Sequence, residues 1–516
     1  MNEKQLQDKI NGTIWSACDT LRTSIPGGNY KDYALVMLFV KYLSDTYKEE
    51  KEKANKMYKG NKLMIERYLS RSKFVLKEEC TFDYLYKNRN EDNIGEIINK
   101  ALETITSLNG VKLFNLFAGV DFNSEVVFGK KKEKNAILRT LLSDFNNKDI
   151  DLRPSKIGNL DVIGNCYEYL IARFAGDSGK KGGEFYTPSE VSTLLAKLVE
   201  PKENDRIYDP ACGSGSLLLK AAKEVKDKKV SVYGQESNSS TYNLCRMNMF
   251  LHGVNDAHIE WGDTLSNPLH LENDDLMKFD VIVSNPPFSL DKWAKGFEIG
   301  NSETINDGKK KNIFKMEASM DSYNRFVYGV PPKSIGDYAF VQHMLKSLAD
   351  DGRMAVVLPH GALFRGASEG KIRKGILEDN LIDAVIGLPE NLFYGVSIPA
   401  TIVVFKKNRE RKDILFIEAS REYEKGKNQN RLSDENIQKI LDTYKNFKEI
   451  EKYSHIATID EIRENEYNLN IKRYVDTFEE EEEIDIEETK RNKEKINTEL
   501  QILEKELQKS LRELGL

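Results

Sequence analysis

The sequence predicts an α/β fold: a mostly parallel sheet with helices on both faces, preceded by a helical domain and followed by a helical tail. Three observations support this prediction. Residues 1–150 place apolar side chains at helical spacing and contain few β-branched runs. From about residue 150, short apolar runs alternate with amphipathic stretches. From Glu479 onward the chain is dense in charged residues.

These changes in the spacing of apolar residues and in charge density divide the chain into three parts. A chain of 516 residues is long enough for about three domains of ordinary size. We expect a helical N-terminal domain over residues 1–150 and an α/β domain over residues 151–475. Residues 476–516 are expected to form a helical or coiled-coil docking tail.

Short apolar runs mark the predicted strands, which are Arg206–Tyr208, Val230–Tyr233, Ile259–Trp261, Asp280–Val283, Met354–Leu358, Ile382–Ile386 and Thr401–Phe405. Sheets of this kind bind ligands at the carboxyl ends of their strands, so functional motifs are expected directly after strands. The polar stretch Ser289–Ser334 interrupts the alternation, and loops of that length are usually functional or mobile. Ser433 is the predicted cap of a later helix, with Asn436 at the third helical position.

The composition is that of a globular protein, with 40% hydrophobic and 9% aromatic residues. A net charge of -6 argues against coating nucleic acid by bulk charge, so DNA contact would come from a local patch or a partner chain. The cysteines and histidines form no metal-binding pattern, and no metal is expected. No signal pattern or bilayer-length apolar run is visible, so we expect a soluble cytoplasmic protein without membrane contact.

The first motif, Asp209-Pro210-Ala211-Cys212-Gly213-Ser214-Gly215-Ser216, follows a predicted strand and precedes an apolar helix. Glycine at such a corner lets the backbone turn tightly and approach a ligand closely. Glu236 ends the next strand, where a carboxylate can accept hydrogen bonds from a ribose diol. The third glycine of the dinucleotide fingerprint and the lysine of a P-loop are both missing. The motif therefore favours one adenosine-type ligand without a phosphate chain.

The second motif, Asn285-Pro286-Pro287-Phe288, directly follows the predicted strand Asp280–Val283. The prolines end the strand and restrict the backbone, so that the Asn285 side chain is held at the edge of the sheet. Its amide oxygen and the Pro286 carbonyl can accept both hydrogens of an –NH2 group, and Phe288 can stack on the ring that carries it. The two acceptors draw the nitrogen lone pair out of the ring and in line with a sulfonium methyl group. Attack on that methyl group then needs no strong base.

A third element is the beginning of a helix that follows the segment from Glu184 to Tyr186. Thr187, Pro188 and Glu190 fit the cap, first and third positions of a capping box. The positive end of this helix could receive the carboxylate of an amino-acid-like ligand, although a well-capped helix without a ligand explains the same pattern. Asp263 ends a third strand, where it could accept a hydrogen bond from an adenine amine.

Together, and in this order, the motifs resemble those of the modification (methyltransferase) subunit of type I restriction-modification systems. Members of that family are S-adenosylmethionine-dependent adenine-N6 DNA methyltransferases. The resemblance covers nearly the whole chain, and segments such as Leu358-Pro359-His360-Gly361 and Asn468-Leu469-Asn470 add to it. It implies a Rossmann-like S-adenosylmethionine-dependent methyltransferase sheet in the domain at residues 151–475.

The resemblance also implies which residues serve the reaction. S-adenosylmethionine is the expected cofactor, and its expected contacts are Glu184, Phe185, Tyr186, Thr187, Pro188, Ser189, Asp209, Gly213, Ser214, Gly215, Ser216, Glu236 and Asp263. Asn285, Pro286, Pro287 and Phe288 match the catalytic motif of the family. The target adenine is expected to be flipped out of the duplex, because its amine cannot be reached inside the stack.

The family implies partners as well. A separate DNA-specificity subunit is expected to read the sequence of the double-stranded DNA, typically with two modification subunits for each specificity subunit, and an ATP-dependent restriction subunit can join. The tail carries an apolar seam with a period of 3.5 residues, formed by Ile496, Leu500, Leu503, Leu507 and Leu514. This seam fits a helix that docks on the specificity subunit and equally one that packs on its own chain.

Two other functions fit the same motifs. An Asn-Pro-Pro-aromatic motif serves any planar amide or amine, so one alternative is a glutamine-N5 protein methyltransferase or an RNA methyltransferase. The other is a non-catalytic assembly scaffold that keeps the fold without turnover. The long helical N-terminal region and the tail favour an assembly over the first alternative, and the intact Asn285 argues against the second.

Overall fold

The structure is a computed structural model. It describes residues 3–25, 30–157, 161–177, 186–297, 301–304, 310–313, 320–395, 397–426, 429–477 and 486–513. By its internal contacts the chain forms two compact units, residues 1–475 and residues 476–516. Every helix among the described residues is too short or too polar to cross a lipid bilayer.

The N-terminal region is helical, as predicted. Its helices are α1 (Glu3–Ser24), α2 (Tyr30–Met57), α3 (Lys62–Leu69), α4 (Phe82–Lys87), α5 (Ile94–Asn109), α6 (Glu125–Phe128), α7 (Lys131–Phe145), α8 (Pro154–Ile157) and α9 (Asp161–Asp177). Helix α2 is buried on most of its circumference, and its Leu38 and Phe39 are fully buried in one apolar core. That burial is why α2 carries a nearly continuous apolar run.

The predicted sheet is confirmed, and its strands in chain order are β1 (Arg206–Asp209), β2 (Ser231–Glu236), β3 (His258–Trp261), β4 (Phe279–Ser284), β5 (Leu348–Pro359), β6 (Ile382–Gly387), β7 (Ala400–Lys406), β8 (Ile414–Glu418) and β9 (Ser454–Ala457). Within the described residues their spatial order is β9-β8-β6-β7-β5-β4-β1-β2-β3. The pairs from β5 through β4, β1 and β2 to β3 are parallel, and so is β6 with β8. Strand β7 is antiparallel to both of its neighbours.

Helices cover both faces of the sheet. They are α10 (Ser189–Val199), α11 (Ser216–Lys223), α12 (Ser239–Leu251), α13 (Asp337–Ser347), α14 (Ala367–Glu378), α15 (Asp434–Lys445) and α16 (Ile459–Glu464). Strand β4 shows how the two apolar layers arise: Val281 and Val283 enter one layer, and Ile282 enters the other. Successive side chains of a strand point to opposite faces, so a strand buried on both faces is apolar throughout.

Helix α12 joins the sheet to the helical region. Its Leu244 and Phe250 belong to the core of the N-terminal helices, whereas its Cys245 and Met249 belong to a layer on the sheet. Two apolar faces on one helix attach the N-terminal helices to the sheet within the first compact unit. This contact places the helical region on the face that also carries α11.

Two strands of the large sheet, β8 and β9, were not predicted. Strand β9 has the sequence Ser-His-Ile-Ala and pairs antiparallel with β8 at the far edge of the sheet. A single large apolar side chain in four residues gives no alternation to recognise. The prediction for α15 is confirmed, because Ser433 caps it in a capping box with Asn436.

The stretch Ser289–Ser334 contains one antiparallel hairpin, Asn301–Thr304 with Lys310–Ile313. The polypeptide re-enters the core before α13, where Asp321 and Arg325 are both fully buried.

Two further hairpins pair Leu271–Glu272 with Asp275–Leu276 and Glu424–Lys425 with Asn430–Arg431. The second compact unit carries α17, Ile486–Glu513.

Candidate active site

The candidate site lies where β1 and β4 end, side by side at the carboxyl edge of the sheet. Tyr208 of β1 pairs with Ile282 of β4, which brings Asp209 and Asn285 to the same edge. Strand β2 lies on the other side of β1, so the strand order reverses here, as it does at ligand sites of open α/β sheets. Among the described residues, the cavity at this edge is lined by Tyr186, Thr187, Asp209, Ala211, Cys212, Gly213, Ser214, Ser216, Leu217 and Asn285.

The glycine corner between β1 and α11 requires glycine at two positions. Gly213 has φ +54° and Gly215 has φ +79°, a region that other residues enter at a cost. A Cβ atom on Gly215 would meet the Cys245 Sγ and the Met249 Cε, each at 2.7 Å. The corner therefore lies directly against α12, and the backbone of Gly213 and Ser214 is left facing the cavity.

Asp209 links the ends of the two central strands. Its Oδ1 accepts hydrogen bonds from the Ala211 amide at 3.0 Å and from the Ser284 hydroxyl at 2.7 Å. Burial raises the pKa of Asp209 to about 7, although both hydrogen bonds act in the opposite direction. The carboxyl group therefore changes charge near neutral pH at the wall of the cavity.

Glu236, at the end of β2, supports the glycine corner. Its Oε2 accepts a hydrogen bond from the Gly213 amide at 3.0 Å, and its Oε1 accepts one from the Asn238 amide at 2.7 Å. Burial raises the pKa of Glu236 above its ordinary value. Its Oε1 also accepts from the Ser237 hydroxyl at 3.4 Å, so of the two oxygens Oε2 keeps an acceptor position for a further donor.

Asn285 presents an unused hydrogen-bond acceptor to the cavity. Its Nδ2 donates to the Thr187 hydroxyl oxygen at 3.1 Å. Its Oδ1 is buried and has no hydrogen-bond partner within the described part of the chain. Buried acceptors are rarely left without a partner, so this oxygen marks a position where a donor on a ligand fits.

The aromatic residue of the same motif lies beside another aromatic side chain. The Phe288 ring is partly buried, and its centroid lies 5.8 Å from that of Phe393 in an edge-to-face arrangement. Tyr186 of the cavity wall lies 6.0 Å from the neighbouring Tyr394. The segment after β6 thus adds two aromatic rings to the site, and nothing in the local sequence pattern had singled them out.

The predicted capping box at α10 is wrong. The helix begins at Ser189, its cap residue is Pro188, and no side chain makes a cap hydrogen bond there. Pro188 has ψ 137°, an extended value that places it outside the helix, so Glu190 is at the second helical position. Thr187 precedes the cap, and its hydroxyl oxygen accepts the hydrogen bond from Asn285 instead.

The other predicted contacts divide into three groups. Glu184 and Phe185 lie outside the described residues. Ser189 is exposed and does not line the cavity. Asp263 is also exposed, and its carboxylate accepts from the Leu265 amide at 3.0 Å and the Ser266 hydroxyl at 2.9 Å, so it shapes its own turn. Pro188, Gly215 and Pro286 are next to lining residues in sequence, and Glu236 bonds to the lining residue Gly213. Pro287 and Phe288 follow Pro286, and none of these six residues lines the cavity itself.

Comparison with known families defines the class of protein. The family model described as N-6 DNA Methylase matches residues 158–483, which is more than half of the chain. A second family model, the HsdM N-terminal domain, matches residues 10–145. The chain therefore belongs to the N-6 DNA methylase family.

Individual relatives place the chain within that family. It is 36% identical to the type I restriction enzyme MpnII methylase subunit of Mycoplasma pneumoniae, over 94% of this chain and 93% of the relative. It is 35% identical to the MjaVIII methylase subunit of Methanocaldococcus jannaschii, over 96% and 83%. A crystal structure of a type I methyltransferase subunit from Streptococcus thermophilus is 34% identical, with a TM-score of 0.77, over 91% of this chain and 100% of that one. These comparisons confirm the prediction that the chain is the modification subunit of a type I restriction-modification system, which is an adenine-specific DNA methyltransferase.

Proposed function

We propose that the cavity at the ends of β1 and β4 binds S-adenosylmethionine and that Asn285 holds the N6 amine of a flipped adenine beside it. The observation that carries this proposal is the buried Oδ1 of Asn285, which has no hydrogen-bond partner among the residues that the structure describes. It shares one cavity with the glycine corner, so an amine bound at Asn285 adjoins a ligand bound at Gly213 and Ser214. An N–H group of an amine bound in the cavity would satisfy this oxygen.

Asn285 suits an amine because it accepts hydrogen bonds without taking the proton. The lone pair of an adenine amine is delocalised into the ring, which makes the nitrogen a weak nucleophile. Acceptors at both hydrogens, the Asn285 Oδ1 and the Pro286 carbonyl, favour a tetrahedral nitrogen with a localised lone pair. The reaction then needs alignment and electrostatic stabilisation more than a strong base.

The cofactor fits the residues that line the cavity. S-adenosylmethionine supplies an electrophilic methyl group on a positively charged sulfonium. Asp209 lies in the wall that would face this cation, and its carboxyl group carries a negative charge there once the pH exceeds its pKa of about 7. Glu236 keeps acceptor capacity for a ribose diol, and the bare backbone at Gly213 permits close approach.

Thr187 has a positioning role in this proposal. Its hydroxyl oxygen accepts from the Asn285 amide nitrogen, which directs the amide oxygen away from Thr187 and into the cavity. A flipped amide would put two N–H donors where the adenine amine needs an acceptor. Phe288, against Phe393, supplies the aromatic face on which the extruded base stacks.

The same proposal covers the partners and the division of the chain. We assign the helical domain to residues 1–150, the methyltransferase domain to 151–475 and the docking tail to 476–516. Double-stranded DNA is the substrate, a specificity subunit reads its sequence with two modification subunits bound, and a restriction subunit joins the complex. The exposed seam side chains of α17, which are Ile496, Leu500, Leu503 and Leu507, support docking of this helix on the specificity subunit.

The test is a transfer assay with methyl-labelled S-adenosylmethionine and the full-length chain reconstituted with its specificity subunit. Duplex DNA, RNA and glutamine-bearing protein are offered in parallel, and labelled nucleosides are separated after digestion. We expect label in N6-methyladenine of the duplex only. Label in RNA or in glutamine would overturn the proposal, and so would cofactor binding without transfer to any substrate.

A further inference from the structure

Beneath the site lies a fully buried arginine that the function described above does not use. Arg325 and Asp321 form an ion pair whose two side chains are each 1% exposed. The Arg325 Nη2 donates to Asp321 Oδ1 at 2.8 Å and also to the Leu265 carbonyl at 2.8 Å. Its Nε donates to Asp321 as well, at 3.0 Å. A buried charge with this many partners is held in a single orientation.

A chain of hydrogen bonds runs from Arg325 to the glycine corner. The Arg325 Nη1 lies 3.3 Å from the Nδ1 of His343, whose Nε2 lies 3.1 Å from the Tyr208 hydroxyl. The Arg325 Nη1 also donates to the Thr264 carbonyl at 3.4 Å. The Thr264 hydroxyl in turn donates to the Pro210 carbonyl at 2.5 Å.

The two ends of this chain fix the direction of every bond in it. An arginine can only donate, so the His343 Nδ1 accepts and its Nε2 carries the hydrogen. Burial and the neighbouring Arg325 lower the pKa of His343 well below its ordinary value, which keeps the ring neutral with one N–H. The Pro210 carbonyl can only accept, so the Thr264 hydroxyl donates to it. One branch therefore runs from Arg325 through His343 to Tyr208, and the other runs from Arg325 through Thr264 to Pro210.

These hydrogen bonds hold backbone segments that adjoin the cavity. Pro210 lies between Asp209 and Ala211, both of which line it. Thr264 and Leu265, whose carbonyls both accept from Arg325, follow Asp263 after β3. Arg325 itself belongs to the segment that precedes α13, and its guanidinium lies 5.5 Å from the Phe297 ring centroid and 5.4 Å from that of Phe326. The last part of the Ser289–Ser334 stretch is thus bonded to the turn after β3 and, through the Thr264 hydroxyl, to the turn after β1.

We propose that Arg325 is a positioning residue for cofactor binding, acting through Leu265 and through the chain to Pro210. It holds the turns after β1 and β3 in position, and it connects them to the segment that ends the Ser289–Ser334 stretch. The proposal rests on the proposed function in taking S-adenosylmethionine as the ligand. Loss of Arg325 or of a middle link loosens the turns and weakens cofactor binding, while Asn285 and the transfer step at saturating cofactor are left nearly intact.

The test uses full-length variants, with the dissociation constant of S-adenosylmethionine measured by titration calorimetry. Thr264→Val removes the hydroxyl that bonds to the Pro210 carbonyl and leaves the ion pair, and we expect the Kd to rise about fivefold. The double variant Asp321→Asn/Arg325→Met leaves no unpaired buried charge, and we expect the Kd to rise at least about tenfold, with kcat at saturating cofactor within about threefold of wild type. A purely structural role would lower the unfolding temperature and leave the Kd of the folded protein unchanged.

Arg353→Met is the matched control. Arg353 pairs with Asp205 at 2.7 Å, before the start of β1 and away from the carboxyl edge. We expect it to leave the Kd within about twofold of wild type. A wild-type Kd in Thr264→Val, or an equal loss of affinity in Arg353→Met, would overturn the inference.

Hydrogen exchange without cofactor separates this inference from the proposed function. In Asp321→Asn/Arg325→Met, we expect faster amide exchange in the peptides spanning residues 208–215 and 262–267, and wild-type exchange in α15. Unchanged exchange in the two turns would overturn the inference even if S-adenosylmethionine binds as proposed. Failure of the wild-type chain to bind S-adenosylmethionine would instead overturn the proposed function.

Discussion

Asn285 and Thr187 are 98 residues apart in sequence and are joined by a hydrogen bond of 3.1 Å from the Asn285 Nδ2 to the Thr187 Oγ1. The bond connects the turn after β4 with the residue before the cap of α10. It leaves the Asn285 Oδ1 buried and without a hydrogen-bond partner in the described ranges of the chain. The chemistry proposed for this site depends on that orientation of one amide group.

Removal of the amide should stop methyl transfer. In Asn285→Ala, we expect kcat to fall at least about 100-fold, because the acceptor that aligns the amine is gone. Cofactor affinity should stay within about threefold, because the glycine corner is untouched. Asn285→Asp, which keeps acceptor oxygens, is the matched variant and should retain measurable transfer. Near-normal turnover by Asn285→Ala in the labelled-cofactor assay would contradict the assigned role.

Thr187 should act through Asn285. Thr187→Val keeps the shape of the side chain and removes the acceptor, so the amide is free to flip, and we expect kcat to fall about tenfold. Thr187→Ser restores the hydroxyl and should recover most of the loss. Single-turnover rates with saturating S-adenosylmethionine measure the effect. Equal rates in the Val and Ser variants would show that the hydrogen bond has no part in orientation.

Cofactor affinity should rise with pH. Burial raises the pKa of Asp209 to about 7, so its carboxyl group is largely neutral at pH 6 and largely ionised at pH 8. The ionised fraction grows about tenfold over that interval, and the ionised form attracts a cationic ligand. We therefore expect the Kd of S-adenosylmethionine to fall as the pH rises through 7, in titrations at fixed ionic strength.

Two variants isolate Asp209 as the source of this dependence. Asp209→Asn should flatten that part of the pH profile. Ser284→Ala should move its midpoint to higher pH, because the Ser284 hydroxyl donates to Asp209 at 2.7 Å and favours the ionised form. A midpoint that stays in place in both variants would assign the dependence to another group.

Gly215 should not tolerate a side chain. In Gly215→Ala, the Cβ would meet the Cys245 Sγ and the Met249 Cε at 2.7 Å in a backbone with φ +79°. We expect a loss of about 2–4 kcal/mol in the free energy of unfolding, and weaker cofactor binding. Gly12→Ala is the control, because nothing lies within 4 Å of its Cβ position inside α1, and it should stabilise by about 0.5–1 kcal/mol. Denaturant unfolding measures both, and equal stability of the two variants would contradict the prediction.

The seam of α17 should be required for assembly. Leu503, which is 64% exposed, occupies the seam, whereas Thr498 lies off it on the same helix. We expect Leu503→Lys to abolish co-purification with the specificity subunit and Thr498→Lys to preserve it, because each adds one positive charge and only the first disrupts the apolar seam. Loss of assembly in both variants would point to charge rather than to the seam.

Local patterns were sufficient to predict much of the fold. Central strands such as β4 and β6 were predicted because strands buried on both faces are apolar throughout, and this shows in a few consecutive residues. The cap at Ser433 was predictable for the same reason, since its partner is three residues away. The family resemblance rested on such local motifs, and the family comparisons confirmed it.

The sequence by itself therefore determined the kind of sheet, the motifs at its strand ends and the family. The tertiary structure alone decided what those side chains bond to. The hydroxyl of Thr187, expected to cap α10, accepts from Asn285, and Ser284 donates to Asp209 in the neighbouring strand. Contacts of this kind depend on which strands are adjacent and in what register, and neither is encoded within a short window of residues.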